Sequence, residues 1–179
     1  MSHKFYRCAV FAVLLSNLSG VFAHELGAHV HGAAILQVAV DEKAMTLNFS
    51  SPLDSMLGFE HVARNPQQKV AVKNMADKLN RAEQIFIPTA EAGCTLKSVK
   101  LDSVVFEKGG KSGQHEEAGG HADLDGEFVF ICKQAEKLRD LDVLLFDAFP
   151  HLHQLKVEVA TLKKQSASTL TAAQRRASW

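Results

Sequence analysis

Residues 33–51, which read AAILQVAVDEKAMTLNFSS, decide the fold class because they form the pattern of a β-hairpin. Both halves are rich in strand-forming residues that alternate between more and less apolar, and the polar residues 41–43 separate them as a turn. Successive side chains of a strand point to opposite sides, so each half has one apolar face. The pattern predicts two antiparallel strands, from Ala33 to Val40 and from Ala44 to Ser51.

Further along the chain, the patterns predict one principal helix and several more strands. Asn65 and Pro66 are typical helix-starting residues, and apolar residues then recur at helical spacing to about Gln84. The further strands are predicted at Leu96 to Phe106, Glu127 to Cys132, Leu141 to Phe146 and Leu155 to Leu162. The expected fold class is α+β, a mostly antiparallel β-sheet with one principal helix packed on it.

A segment rich in glycine, histidine and acidic residues, at about residues 107–125, separates two of these strands. It has almost no apolar side chains, so it cannot bury enough surface to order itself. We therefore expect a flexible loop that carries His115 and His121. A solvated hairpin tip with no ligand role is the alternative.

Residues 1–23 have the features of a secretory signal. Lys4 and Arg7 precede a short apolar run, and Ala23 is a small residue at the expected cleavage position. Cleavage leaves residues 24–179, a length that suits one domain. A retained membrane anchor is the alternative, but the apolar run is short for a bilayer span, and we expect no stable membrane insertion.

The charge balance of the cleaved chain limits its partners. The signal contains two of the 20 Lys+Arg and none of the 20 Asp+Glu, which leaves 18 against 20 and a formal charge of −2. This balance argues against nucleic acid and against anionic membrane surfaces as partners. Metal ions and other proteins remain the expected partners.

The cleaved chain keeps two cysteines, Cys94 and Cys132, because Cys8 leaves with the signal. An even cysteine count in an exported protein favours a disulfide. Such a bond would close a ring of 39 residues that includes the glycine-rich segment. A Cys/His metal site is the alternative.

Histidines are the most informative residues for function. Eight of the nine follow residue 23, and they are His24, His29, His31, His61, His115, His121, His151 and His153. Four of them form two His-x-His pairs, and imidazole is the commonest metal ligand near neutral pH. Imidazoles combined with carboxylates and few thiols favour a divalent ion, zinc first.

Strand parity predicts different environments for the two His-x-His pairs. If the first strand extends back through Gly32, His29 and His31 project from its less apolar side. His151 and His153 share parity with Leu155, which predicts a position at the rim of the core. Whether the two pairs converge is left open by the sequence.

The remaining histidines allow separate interpretations. His61, beside Glu60, is either a ligand, an orienting partner of a ligand, or a structural residue. His24, once it is the N-terminal residue, can chelate copper through its amine and ring. No nucleophile or phosphate-loop motif is present, although an open three-histidine zinc site can support catalysis.

Several strings resemble the ZrgA-like family, long described as a domain of unknown function. They are HELGAHVHGAA at 24–34, the segment SPLDSMLGFEH at 51–61, AGC at 92–94, FIC at 130–132 and LFDAFP at 145–150. The resemblance implies an exported periplasmic zinc-binding protein of Gram-negative bacteria that assists zinc acquisition alongside an ABC importer. The resemblance also implies that His29, His31 and His61 are zinc ligands.

This chain departs from the family pattern in the loop between the cysteine-bearing strands. Many relatives have a long loop dense in histidine and acidic residues, whereas this one retains only His115 and His121. We therefore expect one or two zinc ions per chain. The sequence predicts a zinc-binding protein that is not an enzyme, with a zinc-dependent hydrolase, a copper-binding protein and a partner-binding protein as alternatives.

Overall fold

The computed structural model describes residues 31–106 and 122–179. The strands in these residues are β1 (Ala33–Val40), β2 (Ala44–Pro52), β3 (Phe86–Pro88), β4 (Cys94–Asp102), β5 (Asp123–Cys132), β6 (Asp140–Val143), β7 (Gln154–Thr161), β8 (Gln165–Leu170) and β9 (Arg176–Ser178). The α-helices are α1 (Leu53–Leu57), α2 (Pro66–Leu79) and α3 (Leu145–Ala148). Short 3-10 turns lie at Ala82–Gln84, Ala90–Ala92, Val104–Phe106 and Ala135–Lys137.

The predicted hairpin of β1 and β2 is confirmed, and it lies at the centre of a six-stranded sheet in the order β4-β5-β2-β1-β7-β8. Its turn is closed by the Asp41 carboxylate, which accepts hydrogen bonds from the backbone N–H groups of Lys43 and Ala44. All neighbouring strands are antiparallel except β1 and β7, which run parallel. A smaller antiparallel sheet has the order β3-β6-β9.

One face of the large sheet carries the core. In β1 the buried Leu36 and Val38 alternate with the exposed Gln37, as a sheet with one solvated face requires. The principal helix α2 contributes the buried Met75 and Leu79 to the same core. The prediction of a mostly antiparallel sheet with one principal helix is therefore confirmed.

Three predicted boundaries were wrong because local apolar patterns do not record where the backbone turns. The principal helix ends at Leu79 instead of Gln84, and the chain continues through a separate 3-10 turn. The strand predicted to reach Phe106 ends at Asp102. The strand predicted from Leu141 to Phe146 ends at Val143, and the next apolar residues form α3.

The glycine-rich segment also ends earlier than predicted. Asp123 and Asp125, which we assigned to the loop, belong to β5 and pair with Pro52 and Ser50 of β2. Residues 107–121 lie outside the described residues, together with the predicted ligands His115 and His121. The same holds for the predicted signal segment and for His24 and His29.

The predicted disulfide between Cys94 and Cys132 is present. The two residues are directly opposite each other, at the start of β4 and the end of β5. The chain leaves β4 at its other end, Asp102, eight residues further on, which at about 3.3 Å per residue is roughly 26 Å away. The disulfide therefore fixes the far end of the β4–β5 pair, and strand pairing fixes the end from which the glycine-rich segment extends.

Candidate metal centre

His31, from the first His-x-His pair, and the 151–153 segment with the second pair meet at one end of the large sheet. Because β1 and β7 run parallel, the residues that precede them adjoin. The backbone N–H groups of His153 and Gln154 both donate to the carbonyl oxygen of Gly32, at 2.7 and 2.9 Å. His31 is the residue before Gly32, so this non-local pairing brings His31 and the 151–153 segment to the same place.

The short helix α1 lies at this sheet end as well, because it follows directly after β2, which is antiparallel to β1. The buried Ser55 hydroxyl accepts a hydrogen bond from the Gly32 N–H at 2.9 Å. The neighbouring Asp54 places a carboxylate oxygen 2.9 Å from His31 Nδ1. Helix α1 therefore delivers a carboxylate to the first histidine of the described chain.

Two glycines allow the second histidine pair to approach. Gly32 and Gly58 both have left-handed backbone conformations, with φ of +78° and +75°. A methyl group on Gly32 would lie 2.7 Å from His153 Cδ2, and one on Gly58 would lie 3.3 Å from His151 Nε2. His153 therefore lies against Gly32, and the His151 ring lies against the C-terminal end of α1.

Glu60 adds a second carboxylate to the same group. One of its oxygens lies 3.9 Å from His31 Nδ1, and its side chain is only 20% exposed. The adjacent His61 is a predicted ligand, but its contacts are with its sequence neighbours. Its ring stacks on Phe59 with 5.2 Å between the ring centroids, and its Nδ1 lies 3.0 Å from the Val62 carbonyl oxygen. The structure thus brings Glu60 to His31, while the polar contact of His61 is local.

Both parity arguments for the histidine pairs depended on strands that are shorter than assumed. Strand β1 begins at Ala33, because the positive φ of Gly32 ends the extended conformation. The prediction that His151 and His153 lie at the rim of the core was wrong, since both are exposed. Leu152 between them is buried instead, in a turn closed by its N–H bond to the Phe149 carbonyl oxygen.

The described end of the glycine-rich segment also rests beside α1. The Leu53 N–H donates to the Ala122 carbonyl oxygen at 2.8 Å, and Ser103 donates to the Asp123 carbonyl oxygen at 2.7 Å. Leu53 directly precedes Asp54 in α1. Ala122, the first described residue after the gap at 107–121, is therefore bonded to the residue next to Asp54, the partner of His31.

The arrangement supplies imidazole nitrogens and carboxylate oxygens, which are both ligand types of zinc. The His31 side chain is 62% exposed and the Asp54 side chain 34% exposed, so ions can reach them from solvent. Across residues 31–106 and 122–179, no three His, Cys, Asp or Glu side chains are arranged to hold a metal ion. The described groups thus amount to a histidine–carboxylate pair with two more imidazoles nearby.

Sequence reasoning missed Asp54, the residue in closest polar contact with His31. Helix α1 has five residues, which is too short for a helical period to appear in the sequence. The local signal was weak as well, since Pro52 is both the last residue of β2 and the N-cap of α1. The carboxylate could have been found only from the strand pairing that brings β2 beside β1.

The fold and the cluster define a disulfide-bonded β-sheet protein with imidazole and carboxylate groups exposed at one end of its sheet. None of the described helices has the length and hydropathy to cross a membrane. The family described as "ZrgA family zinc uptake protein" matches residues 28–179, so the chain belongs to this family. A search of curated proteins finds no match.

Family membership confirms the resemblance stated from the sequence strings. It indicates a role in zinc uptake and an interaction with zinc ions. The family description names an uptake role and no enzymatic reaction.

Proposed function

We propose that this protein captures zinc ions in the periplasm after export, buffers them, and passes them to a zinc importer. The observation that carries the proposal is that His31, Asp54, His151 and His153 lie together at one end of the large sheet. The chain also belongs to a zinc uptake family. Zinc is the cargo of such a protein, so the site must release the ion as well as bind it. Exposed ligands at the end of a sheet suit that requirement better than a closed site does.

The proposed ligands comprise a core group and an auxiliary group. His29 and His31 form the proposed core group, and we propose that His151 and His153, whose rings lie against Gly58 and Gly32, complete it. The auxiliary group consists of His24, His61, His115 and His121. The anchoring of Ala122 beside α1 supports a role for the glycine-rich segment in delivering further ligands to the same sheet end.

The decisive experiment is a zinc titration of metal-stripped protein comprising residues 24–179. Two variants are compared with the wild type: one replaces His29 and His31 with Ala, and the other deletes residues 109–121. The deletion stops before Ala122, because the Ala122 carbonyl oxygen bonds to Leu53 at the start of α1. A third variant, in which His151 and His153 are replaced with Ala, tests whether the two pairs share an ion.

We expect the wild type to bind one or two zinc ions near pH 7. The His29/His31 variant should lose the tighter site, the His151/His153 variant should weaken it, and the deletion should lower only the capacity. If the wild type binds no stoichiometric zinc, the proposal is wrong. If only the deletion variant loses zinc, the glycine-rich segment is the site and the sheet end is not.

A further inference from the structure

We infer that Asp54 is a positioning residue, which holds the His31 imidazole in the tautomer that presents the Nε2 lone pair to zinc. The inference rests on the proposed function and adds to it a residue that binds no metal itself. Its role is to set which ring nitrogen can bind, and in which direction.

The argument starts from the 2.9 Å distance between His31 Nδ1 and an Asp54 carboxylate oxygen. An ionised carboxylate only accepts hydrogen bonds, so the imidazole nitrogen must donate. A neutral ring has one N–H group, and placing it on Nδ1 leaves the lone pair on Nε2. A carboxylate in this position is the common orienting partner of metal-binding histidines.

The second carboxylate acts in the same direction. Glu60 places an oxygen 3.9 Å from His31 Nδ1, which is too long for a hydrogen bond but close enough for an electrostatic interaction. Its side chain is mostly buried, so solvent screens it less than it would an exposed group. Two negative charges on the Nδ1 side favour the N–H group there and direct the lone pair away from them.

Asp54 is itself held in place by the backbone of α1. The helix is attached to the residue next to His31 by the bond from Gly32 N–H to the buried Ser55 hydroxyl. It is closed at its C-terminal end by the bond from Gly58 N–H to the Asp54 carbonyl oxygen at 2.8 Å. The Leu53 N–H bond to Ala122 attaches its first residue. These three hydrogen bonds therefore hold the backbone of Asp54 beside His31, so the carboxylate and the imidazole are already in contact before zinc binds.

The test compares Asp54→Ala with Asp77→Ala as a matched control. Asp77 lies in α2 as an exposed carboxylate paired with Lys73, so its loss changes the net charge equally and leaves the sheet end intact. Nitrogen NMR of the histidine rings in the metal-free protein at alkaline pH reports the tautomer of His31. A competition titration with zinc ions then gives the affinity of each variant.

We expect His31 in the wild type and in Asp77→Ala to carry its hydrogen on Nδ1. In Asp54→Ala, the ring should populate both tautomers, and zinc affinity should fall by about 10- to 100-fold, the usual effect of removing an orienting partner. Asp54→Asn serves as a second variant if the alanine protein does not fold. Its amide can accept or donate, so both tautomers should again appear with weakened zinc binding.

Two results would overturn the inference: a His31 tautomer that does not change in either Asp54 variant, or a zinc affinity equal to that of Asp77→Ala. The tautomer measurement needs no zinc. A wild type that fails to bind zinc would therefore refute the proposed function, while the NMR result would still show whether Asp54 sets the state of the ring.

Discussion

At the scale of single residues, Gly58 controls how closely a histidine ring approaches helix α1. Its φ of +75° is a left-handed conformation, and a methyl group on Gly58 would lie 3.3 Å from His151 Nε2, so the ring would have to move slightly to make room for it. Gly93 offers a natural comparison, because it has a similar φ of +60° but its nearest neighbour is the flexible Lys133 side chain at 3.6 Å. The two glycines share a backbone requirement and differ in what surrounds them.

This comparison predicts the effect of Gly58→Ala beside the control Gly93→Ala. Both should destabilise the protein by about 1–2 kcal/mol, because a non-glycine residue in the left-handed region costs that amount. Only Gly58→Ala should weaken zinc binding, since its methyl group would push the His151 ring away from α1. Urea unfolding and zinc titration measure the two effects. Equal zinc affinities in both variants would show that His151 does not contribute to the site.

At the scale of secondary-structure elements, a bidentate salt bridge joins β9 to β6 within the small sheet. The Arg176 guanidinium donates two hydrogen bonds to the Asp142 carboxylate, at 2.7 and 2.6 Å, across the paired strands β6 and β9. This donation holds the pKa of Asp142 below its ordinary value, and the carboxylate in turn raises the pKa of Arg176. The bridge therefore requires an ionised Asp142.

The sign of the pKa shift gives a pH prediction for Asp142→Asn. A carboxyl group with a lowered folded-state pKa adds stability above its unfolded pKa of 3.8, and that stability is lost as pH falls through the folded value. We expect the variant to melt about 1–2 °C below the wild type at pH 7, because partly exposed bridges contribute little. The difference should shrink below about pH 4. Thermal unfolding at a series of pH values measures this difference in melting temperature, and Asp77→Asn is the control. A difference in melting temperature that persists at pH 2 would contradict the prediction.

The disulfide between β4 and β5 lies at the opposite end of the large sheet from His31. It closes a ring over a sequence separation of 38 residues, and it lies at the start of β4, at the other end of the strand from Asp102. Replacing Cys94 and Cys132 with Ser should lower the free energy of unfolding by about 4 kcal/mol in the chain-entropy model. Zinc affinity of the folded variant should stay within about twofold of the wild type. A large loss of affinity in protein that is still folded would mean that the disulfide shapes the site.

At the scale of the whole molecule, the core and the proposed metal centre are separate. The core lies on one face of the large sheet, whereas the histidine cluster lies at one end of it and is exposed. The metal-free protein should therefore be folded, unlike small domains whose folding depends on zinc. Zinc should then add stability by mass action and should leave the fold unchanged.

Thermal unfolding with and without zinc tests this separation. At a zinc concentration 100 times the dissociation constant, binding should add about 2.7 kcal/mol of stability, and a chelator should remove only that increment. The increment should shrink between about pH 7 and pH 5, because ligand histidines must be neutral. The variant that replaces His29 and His31 with Ala serves as the control and should show little increment. A chelator that unfolds the wild type would contradict the separation of core and site.

The sequence alone determined the features that depend on neighbouring residues. Alternation of apolar side chains identified β1 and β2, and the Asn65–Pro66 start identified α2, because both patterns arise within a few residues. The two cysteines of the chain beyond the predicted signal indicated their own pairing. Where the backbone turned within an apolar run, as at Leu145, the same reasoning was wrong, since local patterns do not register turns.

Only the tertiary structure decided which functional groups meet. The sequence identified His31, His151 and His153 as candidate ligands, but their proximity follows from the parallel pairing of β1 with β7, two segments more than 110 residues apart. Asp54 gave no sequence signal, and it reaches His31 because β2 runs antiparallel to β1 and continues into α1. Secondary structure is encoded in local periodicity and caps, whereas a site built from several strand ends depends on how the strands pair.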